Sequence, residues 1–303
     1  VDRIILSNPD IADYDVEEAA RFLAEHAILL LASGVLLAGT SVAAIWLAVR
    51  LLARFQDEFR RLFGQLLRFV RRVPAADRLL ARGRTLVPTG YVVLHLCAGL
   101  MLTAALSVFV VLAENVLAGG QVAAFDQSFA RELRAVTTSG WGRLFSVVTF
   151  FGWGPVLATA AAVVGARLIA RGQKVDGVLF MTAQAGGGVL NYALKQTFER
   201  TRPEFADPAL AASSWSFPSG HAMGTFVFCG IGSYLIVRTL RSRVAAALVV
   251  ALAVAWCVMM SFSRLYLGVH FASDVIAGMC AGAAWVAVCV SGFEVVRRRR
   301  GRK

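Results

Sequence analysis

Ser263-Arg264-Leu265-Tyr266-Leu267-Gly268-Val269-His270-Phe271-Ala272-Ser273-Asp274 joins two apolar runs, residues 244–262 and 271–290. Each run is about the 20 residues that a helix needs to cross ~30 Å of hydrocarbon. Arg264, His270 and Asp274 therefore stand at a membrane mouth, where ionisable side chains are costly and signal function. If a helix starts near His270, Asp274 lies one turn later on the same face. Its carboxylate can then accept a hydrogen bond from one imidazole nitrogen, leaving the lone pair of the other aimed outward as a nucleophile. The plainer reading of Asp274 is a helix-start charge favoured by the dipole. That reading leaves His270 unexplained.

Two more polar stretches punctuate the preceding apolar runs. Lys195-Gln196-Thr197-Phe198-Glu199-Arg200-Thr201-Arg202-Pro203 places Lys195 and Arg202 about two helical turns apart, with Pro203 expected to mark a helix end. Arg200, between them, is expected to face water. Pro218-Ser219-Gly220-His221 reads as a turn leading into a helix. Gly220 lets backbone approach an anion, Ser219 offers a hydroxyl and, with Gly220, N–H groups near a helix start, and His221 can protonate a leaving oxygen. Taken singly, snorkelling cations and a capping serine explain these stretches. Together they supply fixed cations, two histidines and a carboxylate. Those are the parts needed to hold a phosphate, attack it and protonate what leaves.

The 303 residues are 58% hydrophobic with mean hydropathy +0.66, above the usual range for a soluble domain. Seven candidate spans follow: 27–49, 91–112, 145–169, 177–194, 222–237, 244–262 and 271–290. The fourth and fifth are short and are expected to extend into their polar motifs. Gly152-Trp153-Gly154-Pro155 is expected to kink the third or delay its start. The net charge is +12. Its arginines flank apolar runs, so membrane lipids rather than nucleic acid are the expected partners. Basic segments after the first, third, fifth and seventh spans share one side, which the positive-inside rule makes cytoplasmic. The acidic stretch 10–25, expected as a loop entering a helix, the loop around Asp126 and all three motifs then fall outside. Residues 54–72 alternate arginines with apolar residues at helical spacing, which suits a basic helix in the cytoplasmic interface and suits a plain cytoplasmic connector equally well. Phe205, Trp215 and Phe217 are expected to reach the headgroup region. Five cysteines without C-x-x-C spacing read as buried free thiols. The first 26 residues are acidic, so the first span is expected to serve as the targeting signal.

The three stretches, in this order and at these span ends, resemble the signature of the type 2 phosphatidic acid phosphatase family, the lipid phosphate phosphatases. That signature is Lys, six residues, Arg-Pro; then Pro-Ser-Gly-His; then Ser-Arg, five residues, His, three residues, Asp. Every position matches. The resemblance implies an all-α, polytopic membrane bundle with a six-helix core over 91–293; the N-terminal extracytoplasmic segment, extra transmembrane helix and basic cytoplasmic interfacial segment read in 1–90 fall outside that core, and the resemblance says nothing of their role. A basic cytoplasmic tail occupies 294–303. It implies His270 as nucleophile through a phosphohistidine, Asp274 orienting it, and His221 as general acid. Lys195, Arg202, Ser219, Gly220 and Arg264 would bind the phosphoryl oxygens. It implies no metal and no cofactor, and an active site on the extracytoplasmic face of a bacterial-type inner membrane. The substrate would be a lipid phosphate or diphosphate: an isoprenoid diphosphate such as undecaprenyl diphosphate, phosphatidylglycerol phosphate or phosphatidic acid. Transfer of the phosphoryl group to an acceptor lipid is the alternative, and an idle anion site in a transporter or scaffold is disfavoured by intact motifs. Related soluble haloperoxidases share such a pocket, but seven apolar spans argue against that reading. No motif speaks to oligomeric state.

Overall fold

The computed structural model describes residues 9–29, 31–32, 89–204 and 214–300. Most of the expected first span, the basic segment 54–72 and Phe205 lie outside them. The described residues form α1 (Pro9–Glu25), α2 (Thr89–Leu117), α3 (Gln121–Ala135), α4 (Ser139–Phe150), α5 (Gly154–Ala170), α6 (Lys174–Phe198), α7 (Gly220–Val237), α8 (Arg243–Tyr266) and α9 (Ala272–Arg300).

Length and apolarity let α2, α7, α8 and α9 each cross a membrane, and α4 and α5, bent by 44° at their break, are long and apolar enough only when taken together, with both ends of α4 held beside the end of α8 through Tyr266 and Arg264. The break falls at Phe151-Gly152-Trp153, with Pro155 in the first turn of α5, as the glycine–proline cluster predicts. α6 has 25 residues but carries Gln184, Asn191 and Lys195, and is less apolar than the spans. It packs between α5 and α7 and matches the expected 177–194 segment extended at both ends. The chain is a multi-pass membrane helical bundle.

α9 is the most enclosed of the spanning helices, contacting α2, α7 and α6. Small residues allow this closeness, because in lipid helices associate by close van der Waals contact. Ala105 of α2 meets Ala283 and Ala284 of α9. At Gly278 the backbone of α9 lies against the turn before α7: a Cβ there would sit 2.5 Å from the Ser219 carbonyl oxygen. A second seam joins α5 and α6, where a Cβ on Gly177 would sit 2.5 Å from the Gly165 carbonyl.

Two apolar clusters hold the loops at one end of the bundle. Phe217 is fully buried against Phe109 and Phe198, with ring centroids 5.7 and 5.0 Å away. It does not reach the headgroup region, because this aromatic cluster offers it a better-packed site. Ala24, Leu133, Phe145, Tyr266 and Val269 pack beneath the turn between α8 and α9, and the Tyr266 hydroxyl accepts the Thr138 N–H at 2.9 Å.

Two expectations at the N-terminal side are corrected. The stretch 10–25 is helical from Pro9 onward, and its Ala20 and Ala24 are buried as α1 packs on α3. The expected loop around Asp126 is helix α3, whose Asp126, Ala130 and Leu133 recur at helical spacing on the buried face. Of the thiols, Cys257 is buried but Cys97 is exposed on the outside of α2.

The C-terminal ends of α6 and α8 and the N-terminal ends of α7 and α9 converge. At the opposite end of the bundle stand Arg171, Lys174, Arg238, Arg241 and Arg243, with Arg238 paired to Asp176 at 3.2 Å.

Candidate active site

α6 stops at Phe198 because Glu199 takes a left-handed conformation, φ 44°, and donates its N–H to the Lys195 carbonyl at 3.1 Å. The chain therefore reverses, and Arg202 reaches the site from a loop rather than from the helix face. Lys195 is buried in the last turn, and its ammonium donates to the carbonyls of Trp215 and Ser216. Arg202 donates from Nε to the Ser214 carbonyl at 3.0 Å and from Nη1 to the Val269 carbonyl at 2.7 Å. Arg264, 2% exposed in the last turn of α8, donates to the Thr149 hydroxyl at 2.5 Å.

α9 begins two residues after His270, the nucleophile candidate. Phe271 precedes its first residue, and the Asp274 side chain reaches back to the Phe271 N–H at 2.9 Å, half of a capping box. The same oxygen, Oδ2, accepts the Ser216 hydroxyl at 2.5 Å and faces His270 Nδ1 at 3.4 Å. His270 Nε2 lies 3.2 Å from Arg202 Nη1. Arginine can only donate, so Nε2 is the acceptor and Nδ1 carries the proton, facing the Ser216 hydroxyl at 3.2 Å and Asp274 Oδ2 just beyond it. Burial pushes the His270 pKa well below the ordinary histidine range, and Arg202, Arg264 and Lys195 push it the same way. The imidazole is held neutral with a lone pair on Nε2.

Lys195, Arg202, Arg264, Gly220, His221 and His270 all line one end of a cavity of about 980 Å³. From there the cavity continues along α5 and α6 past Ala158, Ala162 and Met181, and its lining is mainly apolar. Asp274 stands behind His270. Ser219 stands off the cavity wall. Its N–H is not exposed as expected, because the Asp274 carbonyl accepts it at 2.9 Å across the Gly278 seam. Among the described residues, Ser219 Oγ and Arg264 Nε are buried without a hydrogen-bond partner. Such groups are rare in folded proteins, and an anion held at this end of the cavity would give both a partner.

Arg200 does not face water. Its Nη1 donates to Asp274 Oδ1 at 2.6 Å and to the Ser273 hydroxyl at 2.7 Å, its Nη2 donates to Asp126 Oδ2 at 2.8 Å, and its guanidinium lies 4.3 Å from the Phe271 ring centroid. The reversal at Glu199 turns it inward. Arg200, Asp126 and Ser216 are the residues that motif reading passed over. A signal for Arg200 was present, since on the expected topology the rule that disfavours arginines on the outer side applies to it as to its neighbours.

A family model described as the PAP2 superfamily matches residues 176–298. Phosphatidylglycerophosphatase B of Bacillus subtilis (strain 168) is 30% identical over 177 residues, covering 58% of this chain and 86% of that protein. The crystal structure of the first transmembrane PAP2 type phosphatidylglycerolphosphate phosphatase from Bacillus subtilis is similar at a TM-score of 0.59. It is 28% identical, over 64% of this chain and 96% of that one.

Proposed function

Since this chain belongs to the PAP2 superfamily, we propose that it is a membrane lipid phosphatase that works through a phosphohistidine on His270. One observation carries the reading. The unprotonated Nε2 of a neutral imidazole, beside the Arg202 guanidinium and backed by Ser216 and Asp274, shares the polar end of an otherwise apolar cavity with His221 and three cations. An apolar cavity of that size receives a lipid chain, and its polar end receives the phosphate.

In the first step Nε2 of His270 attacks phosphorus and a P–N bond forms. The P–O bond to the lipid breaks, and the departing oxygen takes a proton from His221. Asp274 stabilises the positive charge that grows on the His270 ring. In the second step water attacks the phosphohistidine, giving its proton to His221, and inorganic phosphate leaves with His270 restored. Lys195, Arg202 and Arg264 hold the equatorial oxygens throughout, with the Gly220 backbone and the Ser219 hydroxyl as neighbouring donors. These cations supply the charge that a metal ion supplies elsewhere, and both nearby carboxylates, Asp274 and Asp126, are committed to hydrogen bonds and to Arg200. The reaction as proposed uses no metal.

The catalytic core is residues 91–293, with 1–90 an addition and 294–303 a basic tail. The site faces the extracytoplasmic side of the inner membrane, since cations crowd the opposite end of the bundle. The names of the relatives point to phosphatidylglycerol phosphate as the substrate. The test is release of inorganic phosphate by the purified protein, in EDTA, from phosphatidylglycerol phosphate, phosphatidic acid and a polyprenyl diphosphate. Release is expected to be fastest from the first and absent in His270→Ala. Undiminished turnover by that variant sinks the assignment.

A further inference from the structure

We infer that Asp126 and Arg200 form a positioning pair that fixes the Asp274 carboxylate, and through it His270, from outside the substrate cavity. The inference rests on the proposed reaction and adds to it two residues that lie off the cavity wall.

Asp274 divides its two oxygens between two tasks. Oδ2 faces His270 and takes the Ser216 hydroxyl and the Phe271 N–H. Oδ1 is held by Arg200 at 2.6 Å. Rotation of the carboxylate about its last bond would carry Oδ2 away from His270, and the Arg200 contact blocks that rotation. Arg200 is itself fixed on three sides, by Asp126, by the Ser273 hydroxyl and by the face of Phe271. An arginine fork tied at both nitrogens transmits position, because its planar geometry leaves it little freedom.

Asp126 does a second job. The residue before α9 is Phe271, which has no side-chain oxygen to cap the helix. Asp126, 147 positions from Ser273 in sequence, supplies it: Oδ1 accepts the Ser273 N–H at 3.0 Å, and Oδ2 accepts the Ser273 hydroxyl. Asp126 is 1% exposed and comes from α3, ahead of the family match at 176–298. Burial pushes its pKa up, while the bonds from Ser273 and Arg200 pull it down. A buried carboxylate is tolerated only when so paired.

The charges also balance. Asp126 neutralises Arg200, so Arg200 holds Asp274 without cancelling its field at His270. Around His270 stand Arg202, Arg264, Lys195, His221 and Asp274, and none of these touches Asp126. Asp126→Asn keeps an oxygen for the Ser273 cap and removes the charge. Arg200→Met removes the clamp. Both are assayed on phosphatidylglycerol phosphate with kcat and KM separated, beside melting in detergent. Loss of a group that orients a reacting side chain lets it shift, and a misplacement of about 1 Å costs on the order of 100-fold in rate. The expected result is a kcat fall of that order in both variants, with KM within about twofold. Arg200→Ala should regain part of its kcat on addition of guanidinium. The acid limb of the kcat/KM profile should move to higher pH in Arg200→Met, where a cation is lost. It should move to lower pH in Asp126→Asn, where an anion is lost. Wild-type kcat in Asp126→Asn, a loss confined to KM, or acid limbs that do not move overturn the inference. If the wild-type protein depends on His270 while these variants behave as wild type, the positioning fails and the phosphatase reading stands. If His270→Ala stays active, the phosphatase reading itself has failed.

Discussion

Gly278→Ala places one methyl group at the tightest joint of the site. The added Cβ would lie 2.5 Å from the Ser219 carbonyl oxygen, 3.3 Å from the Ser219 nitrogen and 3.2 Å from the Ala222 side chain. Ordinary contact begins near 3.4 Å, so the first approach is short by roughly 0.9 Å. Two of the three neighbours are backbone atoms, so no rotamer change relieves the clash, and α9 must move from the turn before α7. The Ser219 N–H bond to the Asp274 carbonyl, 2.9 Å long, crosses that joint and lengthens with it. Overpacking of this kind costs about 1–3 kcal/mol, partly offset by the roughly 0.5–1 kcal/mol gained when alanine replaces glycine in a helix. Stability therefore falls only modestly. Catalysis suffers more, because His221 rides on the displaced turn and Asp274 on the displaced helix. A misplacement near 1 Å costs on the order of 100-fold in rate. The expected signature is a kcat lower by about two orders of magnitude, a melting temperature lowered by a few degrees and a nearly unchanged KM. Gly99→Ala, with nothing within 4 Å of the added methyl, is the control and should match or slightly exceed wild-type stability. A Gly278→Ala protein with kcat within twofold of wild type would refute the reasoning.

Two further outcomes follow from the geometry. His270 lies in the turn outside both flanking spans, with its pKa pushed below 6.5 in the folded protein. The unfolded chain therefore binds the extra proton first, and this group's contribution to stability is present above about pH 6.5 and lost as pH falls. The loss is about 1.4 kcal/mol per pH unit until the folded pKa is reached. Melting of the wild type should drop more steeply than that of His270→Gln between pH 7.5 and 5, and parallel curves would contradict a neutral buried imidazole. Thr149→Val removes the acceptor of Arg264 at nearly constant volume. Leaving that buried guanidinium donor unpaired should cost about 1–3 kcal/mol and weaken inhibition by inorganic phosphate. Unchanged stability together with unchanged phosphate inhibition would show that Thr149 does not hold Arg264.

Sequence reading worked where a residue's task is local and failed where its partner is distant. The spans are visible because apolarity over about 20 residues needs no tertiary context, and the break before Pro155 because proline acts on its own turn. His270 and Asp274 are visible because their contact spans only four residues. Arg200 was misread because its direction depends on the left-handed turn at Glu199, a residue with no glycine to announce it. Asp126 was hidden differently. Its helix is amphipathic rather than apolar, so a search for spans passes over it, and its partners are 74 and 147 positions away. The periodicity of Asp126, Ala130 and Leu133 was legible, and it places a carboxylate on a buried face. Ser216 precedes the Pro-Ser-Gly-His motif by two residues, and nothing local distinguishes its hydroxyl from that of Ser214.

The charge balance of the site bears on what it can bind. Lys195, Arg202, Arg264 and Arg200 stand against Asp274 and Asp126, an excess of two positive charges in a largely buried setting. Burying that excess is expensive. The protein meets part of the cost with neutral acceptors: the carbonyls of Ser214, Trp215, Ser216 and Val269, and the Thr149 hydroxyl. Carbonyl dipoles solvate a cation but do not neutralise it, so the remainder is matched by a ligand carrying about two negative charges. A terminal phosphate monoester near neutral pH carries that charge, whereas the phosphodiester headgroups of the surrounding membrane carry one and bury it between two substituents. On the proposed function, selectivity for a terminal phosphate over the bulk lipid is therefore set by the cations before the histidines act. The Asp126–Arg200 pair matters to that selectivity as well. With Arg200 cancelled by Asp126, the three cations on the cavity wall face Asp274 alone, and their excess is directed at the substrate.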